Sequence, residues 1–133
     1  MLDTNTASYI IKGVSPAARQ HLTSLESESV ACISSITEGE LWFGLERVSA
    51  NESRRASLRF FLGRMKVLSW GSQEAKIYGT FRARQQSAGK PLAPLDTQIA
   101  AHSIAVGATL VTHDSAFNNA IGLRGLEDWA IDI

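Results

Sequence analysis

The stretch VACISSITEGEL, residues 30–41, joins a compact apolar run to a strong helix start. The run Val30–Ile33 is bounded by polar residues, which is typical of a buried strand. Ser35 and Glu38 have the spacing of a capping box, in which each side chain bonds a free backbone N–H of the first helical turn. We therefore predict a strand over residues 30–33 that passes directly into a helix reaching about Val48.

The same alternation of short apolar runs and helical segments continues on both sides of this stretch. Further strands are predicted at Met1–Leu2, Lys66–Leu68, Thr109–Thr112 and Trp129–Ile131. Further helices are predicted over residues 16–27, 51–64, 72–87 and 95–105, and residues 4–6 are expected to form a polar turn. Buried strands that alternate with helices indicate a mostly parallel sheet covered on both faces. The predicted fold class is α/β, a three-layer α/β/α sandwich with a mostly parallel five-stranded sheet.

Length and composition describe one ordinary globular domain. The chain has 133 residues, of which 44% are hydrophobic and 20% are charged, so we expect a single domain over residues 1–133. No apolar run approaches the ~20 residues that span a bilayer, and no signal peptide is evident, so a cytoplasmic location is expected. The single cysteine, Cys32, lies in an apolar run and is expected to be a buried thiol.

Four acidic residues fall where a parallel sheet would gather them. Asp3 and Asp114 directly follow predicted strands, and Glu40 lies about two turns into the helix after residues 30–33. Asp96 opens the helix that follows a proline-rich loop. Ligands of such sheets bind beyond the carboxyl ends of the strands, so we expect Asp3, Glu40, Asp96 and Asp114 to meet at one edge.

Carboxylates gathered without paired bases repel each other unless a cation neutralises them. Ligands that are all oxygen suit Mg²⁺ or Mn²⁺, which activate water and stabilise charge on a phosphodiester. The cluster therefore predicts a metal site for phosphodiester hydrolysis.

Each acid also has an ordinary structural explanation. Asp3 could cap a turn, and Glu40 could complete a second capping box with Thr37. Asp96 could complement the dipole of its helix, and Asp114 could be a turn residue. The coincidence of all four favours the metal site.

The formal net charge of zero hides an uneven distribution. The segment from Arg54 to Lys90 holds nine of the thirteen Lys and Arg residues but one acid, Glu74, so its net charge is +8. Such asymmetry suggests a polyanionic partner, although basic residues also coat ordinary exposed helices. Arg82, Arg84 and Lys90 precede the Asp96 loop and are predicted to contact the phosphates of that partner.

Six pieces of the chain, in order, resemble the PIN-domain ribonucleases and, within them, the VapC-type toxins of bacterial toxin–antitoxin pairs. The resemblance covers nearly the whole chain and is carried by Leu2–Asn5, Ile33–Leu41, Gly89–Pro91, Leu95–His102, Leu110–Asp114 and Gly122–Trp129. Two departures are Thr6, where the family usually has an aliphatic residue, and Ala93, where it often has glycine.

The resemblance implies roles for particular residues. The first three family acids fall on Asp3, Glu40 and Asp96, and the more variable fourth falls on Asp114. Glu38 is then a helix cap, while Asn5 and the hydroxyl of Thr112 support the site. The family also implies Mg²⁺ or Mn²⁺ as cofactor, a structured RNA substrate such as transfer or ribosomal RNA, homodimerisation, and a VapB-type antitoxin.

The antitoxin would cover the acids with a cationic side chain. We expect its amphipathic helix to lie near Tyr9, Ile10, Ile11, Trp42 and Phe43, residues that equally well form part of the core.

Two other functions compete with this one. Asp3-Thr4-Asn5-Thr6 imitates the D-x-D-x-T nucleophile motif of haloacid-dehalogenase-like phosphatases. However, Asn5 cannot act as the proton donor, and no matching metal motif follows. The second alternative is a catalytically silent PIN-like module that binds RNA or a protein, which the complete acid set disfavours.

Overall fold

Four short strands in two parallel pairs form the centre of the fold. The computed structural model describes residues 1–133, with strands β1 (Cys32–Ser34), β2 (Lys66–Leu68), β3 (Leu110–Val111) and β4 (Leu126–Glu127). Strand β1 pairs with β2 and β3 pairs with β4, each in parallel. The predicted parallel α/β architecture is thus present.

The N-terminal segment joins the two strand pairs. The Leu2 N–H donates to the Cys32 carbonyl over 2.9 Å, and the Asp3 N–H donates to the Val111 carbonyl over 3.0 Å. Leu2 and Val111 form an isolated parallel bridge. The five-stranded sheet that we predicted is therefore reduced to two pairs of short strands connected through this segment.

Six helices cover the strands. They are α1 (Thr4–Lys12), α2 (Pro16–Thr23), α3 (Ser35–Arg47), α4 (Glu52–Arg64), α5 (Ser72–Ser87) and α6 (Pro94–Val106). A short 3₁₀ helix, Ser115–Asn119, follows β3. None of these helices combines the length and the apolar character needed to cross a membrane.

The apolar core has two parts. The larger packs β1 and the N-terminal segment against α1, α2 and α4, and it includes Leu2, Ile33, Phe61 and Trp129. The smaller packs α5 and α6 against β3 and the 3₁₀ helix, around Phe81, Ile99, Leu110 and Phe117. Asp3, Ser34 and Thr112 lie at the ends of the N-terminal segment, β1 and β3. The candidate site is at this edge of the core.

Three predicted elements are wrong. Residues 4–6 are not a turn but the first turn of α1. The last strand is not Trp129–Ile131, because Trp129 is buried in the core and pairing occurs earlier, at Leu126–Glu127. The helix predicted over residues 16–27 ends at Thr23. The predicted strand Met1–Leu2 is reduced to a single bridge at Leu2. The remaining predicted helices and strands are present, with shifts of one or two residues at their ends.

The start of α3 also differs from the prediction. Ser34 caps this helix, and its hydroxyl accepts a hydrogen bond from the Ile36 N–H over 3.0 Å. The Ser35 hydroxyl instead accepts from the Trp70 N–H. Glu38 is therefore a first-turn acid rather than the helix cap, and the capping box with Ser35 is absent.

Candidate active site

Asp3 is the buried centre of the site. It caps α1 through Oδ1, which accepts from the Thr6 N–H over 2.8 Å, and only 3% of the residue is exposed. Its Oδ2 accepts from the Thr112 hydroxyl over 2.5 Å. The ordinary capping role that we considered is real, but an ionised carboxylate has about four lone-pair positions, and two donors leave others free.

Thr112 connects Asp3 to Asp114. While its hydroxyl donates to Asp3, the same oxygen accepts from the Asp114 N–H over 3.0 Å. Asp114 caps the 3₁₀ helix through Oδ1, which accepts from the Ala116 N–H, and its Oδ2 accepts no hydrogen bond. Thr112, directly after β3, thereby orients the Asp3 carboxylate and fixes the backbone of Asp114.

Asp96 lies in the first turn of α6, and its carboxylate accepts no hydrogen bond from the protein. Partial burial raises its pKa above the ordinary value, and the nearby charges of Asp114 and Asp3 raise it further. The three aspartates, which are far apart in the chain, therefore lie close enough to interact electrostatically.

Glu40 is not part of this group of three. Its half-buried side chain lies on α3 and lines a groove together with Thr4 and Asn5 of α1. The Thr4 hydroxyl donates to the Thr37 hydroxyl over 3.2 Å, and Thr37 is one turn before Glu40. Glu40 thus faces the start of α1, immediately after Asp3. Asn5 is exposed and forms no side-chain hydrogen bond there.

The acids fit a hydrated ion better than an ion enclosed by protein. No three His, Cys, Asp or Glu side chains converge closely enough to hold a metal by themselves. Mg²⁺ commonly keeps several waters and takes one or two carboxylates together with substrate phosphates. An oxygen-only set that includes Asp96, which accepts no hydrogen bond, matches that form of binding.

A groove of about 800 Å³ between α1, α3 and α4 opens beside these acids. Of the five residues predicted to receive a partner helix, Ile11 and Phe43 line it. Ile10 is buried in the core, while Tyr9 and Trp42 are half-buried against the core. The predicted location is near the groove, but four of the five residues, Ile11 among them, are part of the core packing.

The predicted RNA-binding residues lie at the C-terminal end of α5 and just beyond it. Arg82 donates to the Tyr78 hydroxyl over 3.0 Å. A guanidinium nitrogen of Arg84 approaches Gly122 instead, and Lys90 is exposed. All three are near the loop before Asp96, but they point in different directions.

Gln85 is a buried residue that the sequence did not single out. Its amide nitrogen donates to the carbonyls of Lys90 and Asn119, and its amide oxygen accepts from the Ile121 N–H, all within 2.9 Å. It therefore connects the loop before Asp96 to the segment after Asp114. The only signal in the sequence is its place one turn after the buried Phe81.

His102 is buried behind the site rather than in it. Its Nδ1 lies 2.8 Å from the Ser34 hydroxyl oxygen, and its ring meets Trp70 edge-on. Burial lowers the pKa of His102, although Glu74 partly opposes the shift, so the ring is neutral at pH 7.

Comparisons with known proteins identify several close relatives. A model of the PIN domain family matches residues 1–123. The tRNA(fMet)-specific endonuclease VapC of Salmonella typhimurium is 37% identical over 130 residues, covering 97% of this chain and 96% of the relative. The enzyme of that name from Shigella flexneri is 32% identical, with 98% and 97% covered.

Solved structures with a similar fold also carry VapBC names, in agreement with the sequence relatives. VapBC2 from Rickettsia felis, bound to a DNA fragment from its promoter, has a TM-score of 0.90 at 31% identity and covers 97% of both chains. DNA-bound VapBC from Salmonella typhimurium has a TM-score of 0.88 at 36% identity, with 97% and 96% covered.

Proposed function

The chain belongs to the PIN-domain family, among the VapC ribonucleases of toxin–antitoxin systems, and from that premise we propose that it is a metal-dependent endoribonuclease. The observation that carries the metal requirement is Asp96, a half-buried carboxylate with no hydrogen-bond donor that lies beside Asp114 and Asp3. A bound cation would neutralise the repulsion among these three carboxylates.

Each acid has its own part in the proposed mechanism. Asp3, Asp96 and Asp114 would hold a hydrated ion together with its waters and the substrate phosphate, and Glu40 of α3 would face it from the other side of the start of α1. Bound Mg²⁺ or Mn²⁺ supplies an activated water and positive charge for the scissile phosphate. Thr112 fixes the orientation of Asp3 through its hydroxyl, so that the carboxylate does not need to reorganise during the reaction.

The substrate that we propose is structured RNA, with transfer RNA as the first candidate. The relatives from Salmonella typhimurium and Shigella flexneri carry the name tRNA(fMet)-specific endonuclease. Arg82, Arg84 and Lys90, at the end of α5, are proposed to contact RNA phosphates close to the loop that carries Asp96.

We further propose a VapB-type antitoxin partner and a homodimer. The structural relatives from Rickettsia felis and Salmonella typhimurium are VapBC complexes. A cationic side chain of the antitoxin would pair with the acids in place of metal, and an amphipathic helix would contact the apolar lining of the groove, including Ile11 and Phe43.

The decisive experiment is sequencing of RNA 5′ ends after brief induction of the protein in cells. Wild-type protein should produce new ends at defined RNA positions, and Asp96→Asn should not. Glu38→Gln is the matched control, because it removes an acid from the first turn of α3 outside the proposed ligand set. Co-expression with the neighbouring small open reading frame should restore growth. If wild-type protein is harmless and leaves RNA uncut, the silent binding module replaces this proposal.

A further inference from the structure

Three cations from three different helices line the groove beside the acids. They are Lys12 of α1, Arg47 of α3 and Arg54 of α4. All three are exposed, and none of their side chains forms a salt bridge or a hydrogen bond. The one acid among the lining residues is Glu40, so the groove carries a net positive charge.

Neighbouring arginines on α4 behave differently. Arg55 is paired with Glu46 over 2.6 Å, and Arg59 is paired with Glu52. Glu46 of α3 and Glu52 of α4 neutralise these two arginines, whereas Arg54 has no acidic partner and lines the groove.

One end of the groove lies next to the candidate active site, where Glu40 is the one proposed acid that lines it. Thr4, Asn5 and Glu40 line it, and Thr4 and Asn5 immediately follow Asp3 in α1. A polyanion that lay along Lys12, Arg47 and Arg54 would therefore extend towards the carboxylates.

The groove also offers an exposed aromatic side chain. Phe43 is 59% exposed on α3 and lines the groove between the cations. Proteins that bind single-stranded nucleic acid combine a basic groove that follows the phosphates with aromatic rings on which bases stack.

We propose that this groove binds a single-stranded stretch of the RNA substrate next to the cleavage position. Lys12, Arg47 and Arg54 contact its phosphates, and Phe43 stacks on a base. This inference rests on the proposed function and extends it from the acids to a substrate path separate from Arg82, Arg84 and Lys90. RNA and an antitoxin helix in the groove then exclude each other.

The test measures RNA affinity without cleavage. In the Asp96→Asn background, Lys12, Arg47 and Arg54 are all changed to Gln, and a control triple changes the exposed Arg59, Arg64 and Lys76 to Gln. Both triples change the net charge equally. The probes are a fluorescent single-stranded RNA of mixed sequence and a transfer-RNA transcript, each titrated at several salt concentrations in the presence of Mg²⁺.

The groove triple should bind both RNAs at least tenfold more weakly and lower the slope of log affinity against log salt by about 2, since each single-strand contact contributes about 0.7. The control triple should change the slope much less. Equal losses in the two triples, or no loss in either, would overturn the proposal. The proposal would also be overturned if the groove triple kept its RNA affinity but no longer bound the co-expressed antitoxin. The groove would then bind an acidic protein segment.

A second measurement uses protein that carries no substitution in the groove. Lys12 is the one lysine of the groove, so bound RNA should protect it from an amine-reactive reagent at least several-fold, while Lys76 stays reactive. Equal reactivity of Lys12 with and without saturating RNA would contradict the proposal. Cleavage by the wild-type chain is measured separately, so a failed groove proposal is distinguished from a failed ribonuclease proposal.

Discussion

Asp96 and Asp3 differ at the residue scale in how the protein satisfies their carboxylates. Asp3 accepts from Thr6 and Thr112, so its charge is already stabilised by the fold. Asp96 accepts from no protein donor and has neighbouring acids instead. Replacing Asp3 with Asn would place an amide against existing donors and disturb the α1 cap, so this variant would lose stability as well as a carboxylate of the site. Asp96 is the better position for a test of metal binding, because its substitution removes no hydrogen bond from the fold.

Asp96→Asn should abolish cleavage yet stabilise the metal-free protein at neutral pH. The loss of one charge from the ligand set should cost roughly 10²- to 10³-fold in rate, by analogy with other electrostatic groups. The folded-state pKa of Asp96 is raised, so its ionisation costs stability as pH rises through that pKa. Thermal melts in EDTA should show a higher Tm for the variant at pH 7 and no difference below the ordinary pKa. A lower Tm throughout would assign Asp96 a structural role.

Thr6→Val should stabilise the fold by about 1 kcal/mol, since it removes a buried hydroxyl without a partner. Thr6 is fully buried in the first turn of α1, and its N–H, which Val retains, still donates to Asp3. Denaturant unfolding measures the change. Thr97→Val is the matched control and should destabilise, because the Thr97 hydroxyl donates to the carbonyls of Leu92 and Ala93. Destabilisation by both variants would mean that the Thr6 hydroxyl has a partner.

At the scale of elements, local signals predicted the helices that carry their own caps. Asn51 caps α4 and Gly107 ends α6 in the left-handed conformation, both as expected. Helix α1 was missed because Thr4–Thr6 has low helix propensity, and its stability comes from the Asp3 cap and from burial of Ala7 and Ile10. Tertiary packing likewise places Trp129 against His21, with ring centroids 4.4 Å apart, rather than in a strand.

The residues of the site show the same difference between local signals and tertiary packing. Strand ends predicted that Asp3 and Asp114 would be neighbours, because a parallel arrangement brings such ends to one edge. Glu40 and Gln85 lie on helices, where the direction of a side chain depends on packing between elements. The sequence therefore predicted the acids near the strands better than the position of Glu40, and it did not reveal Gln85.

Gln85→Leu should destabilise the protein by about 3 kcal/mol, because it leaves two carbonyls and one N–H without partners in a buried location. The variant should also raise the KM for RNA more than it lowers kcat, since the loop before Asp96 and the segment after Asp114 lose their common anchor. Unfolding and steady-state cleavage are measured together. Gln86→Leu, an exposed neighbour, is the control and should change neither quantity appreciably. A variant as stable as wild type would disprove the anchoring role.

At the scale of the whole molecule, the two ends of the chain close the structure. Asp132 accepts from the Ser15 hydroxyl and the Ala17 N–H, which ties the last residues to the start of α2. The Ser15 hydrogen bond is the main cause of the lowered pKa of Asp132. The N-terminal ammonium in turn donates to the Thr109 carbonyl over 2.6 Å. The N-terminal contact holds Met1, two residues before Asp3, against the residue that precedes β3.

Metal binding should therefore raise the stability of the entire fold. Asp3, Asp96 and Asp114 come together only in the folded chain, so an ion that bridges them binds the unfolded state much more weakly. At 100 times its Kd, such an ion stabilises the folded state by about 2.7 kcal/mol, a rise in Tm of several degrees for a domain of this size. Titration with Mg²⁺ or Mn²⁺ should show the Tm and the rate of RNA cleavage rising over the same concentration range, and EDTA should reverse both. Asp96→Asn should lose the shift, whereas Glu38→Gln should keep it. Cleavage that persists in excess EDTA, with a Tm indifferent to either ion, would show that the carboxylates act without metal.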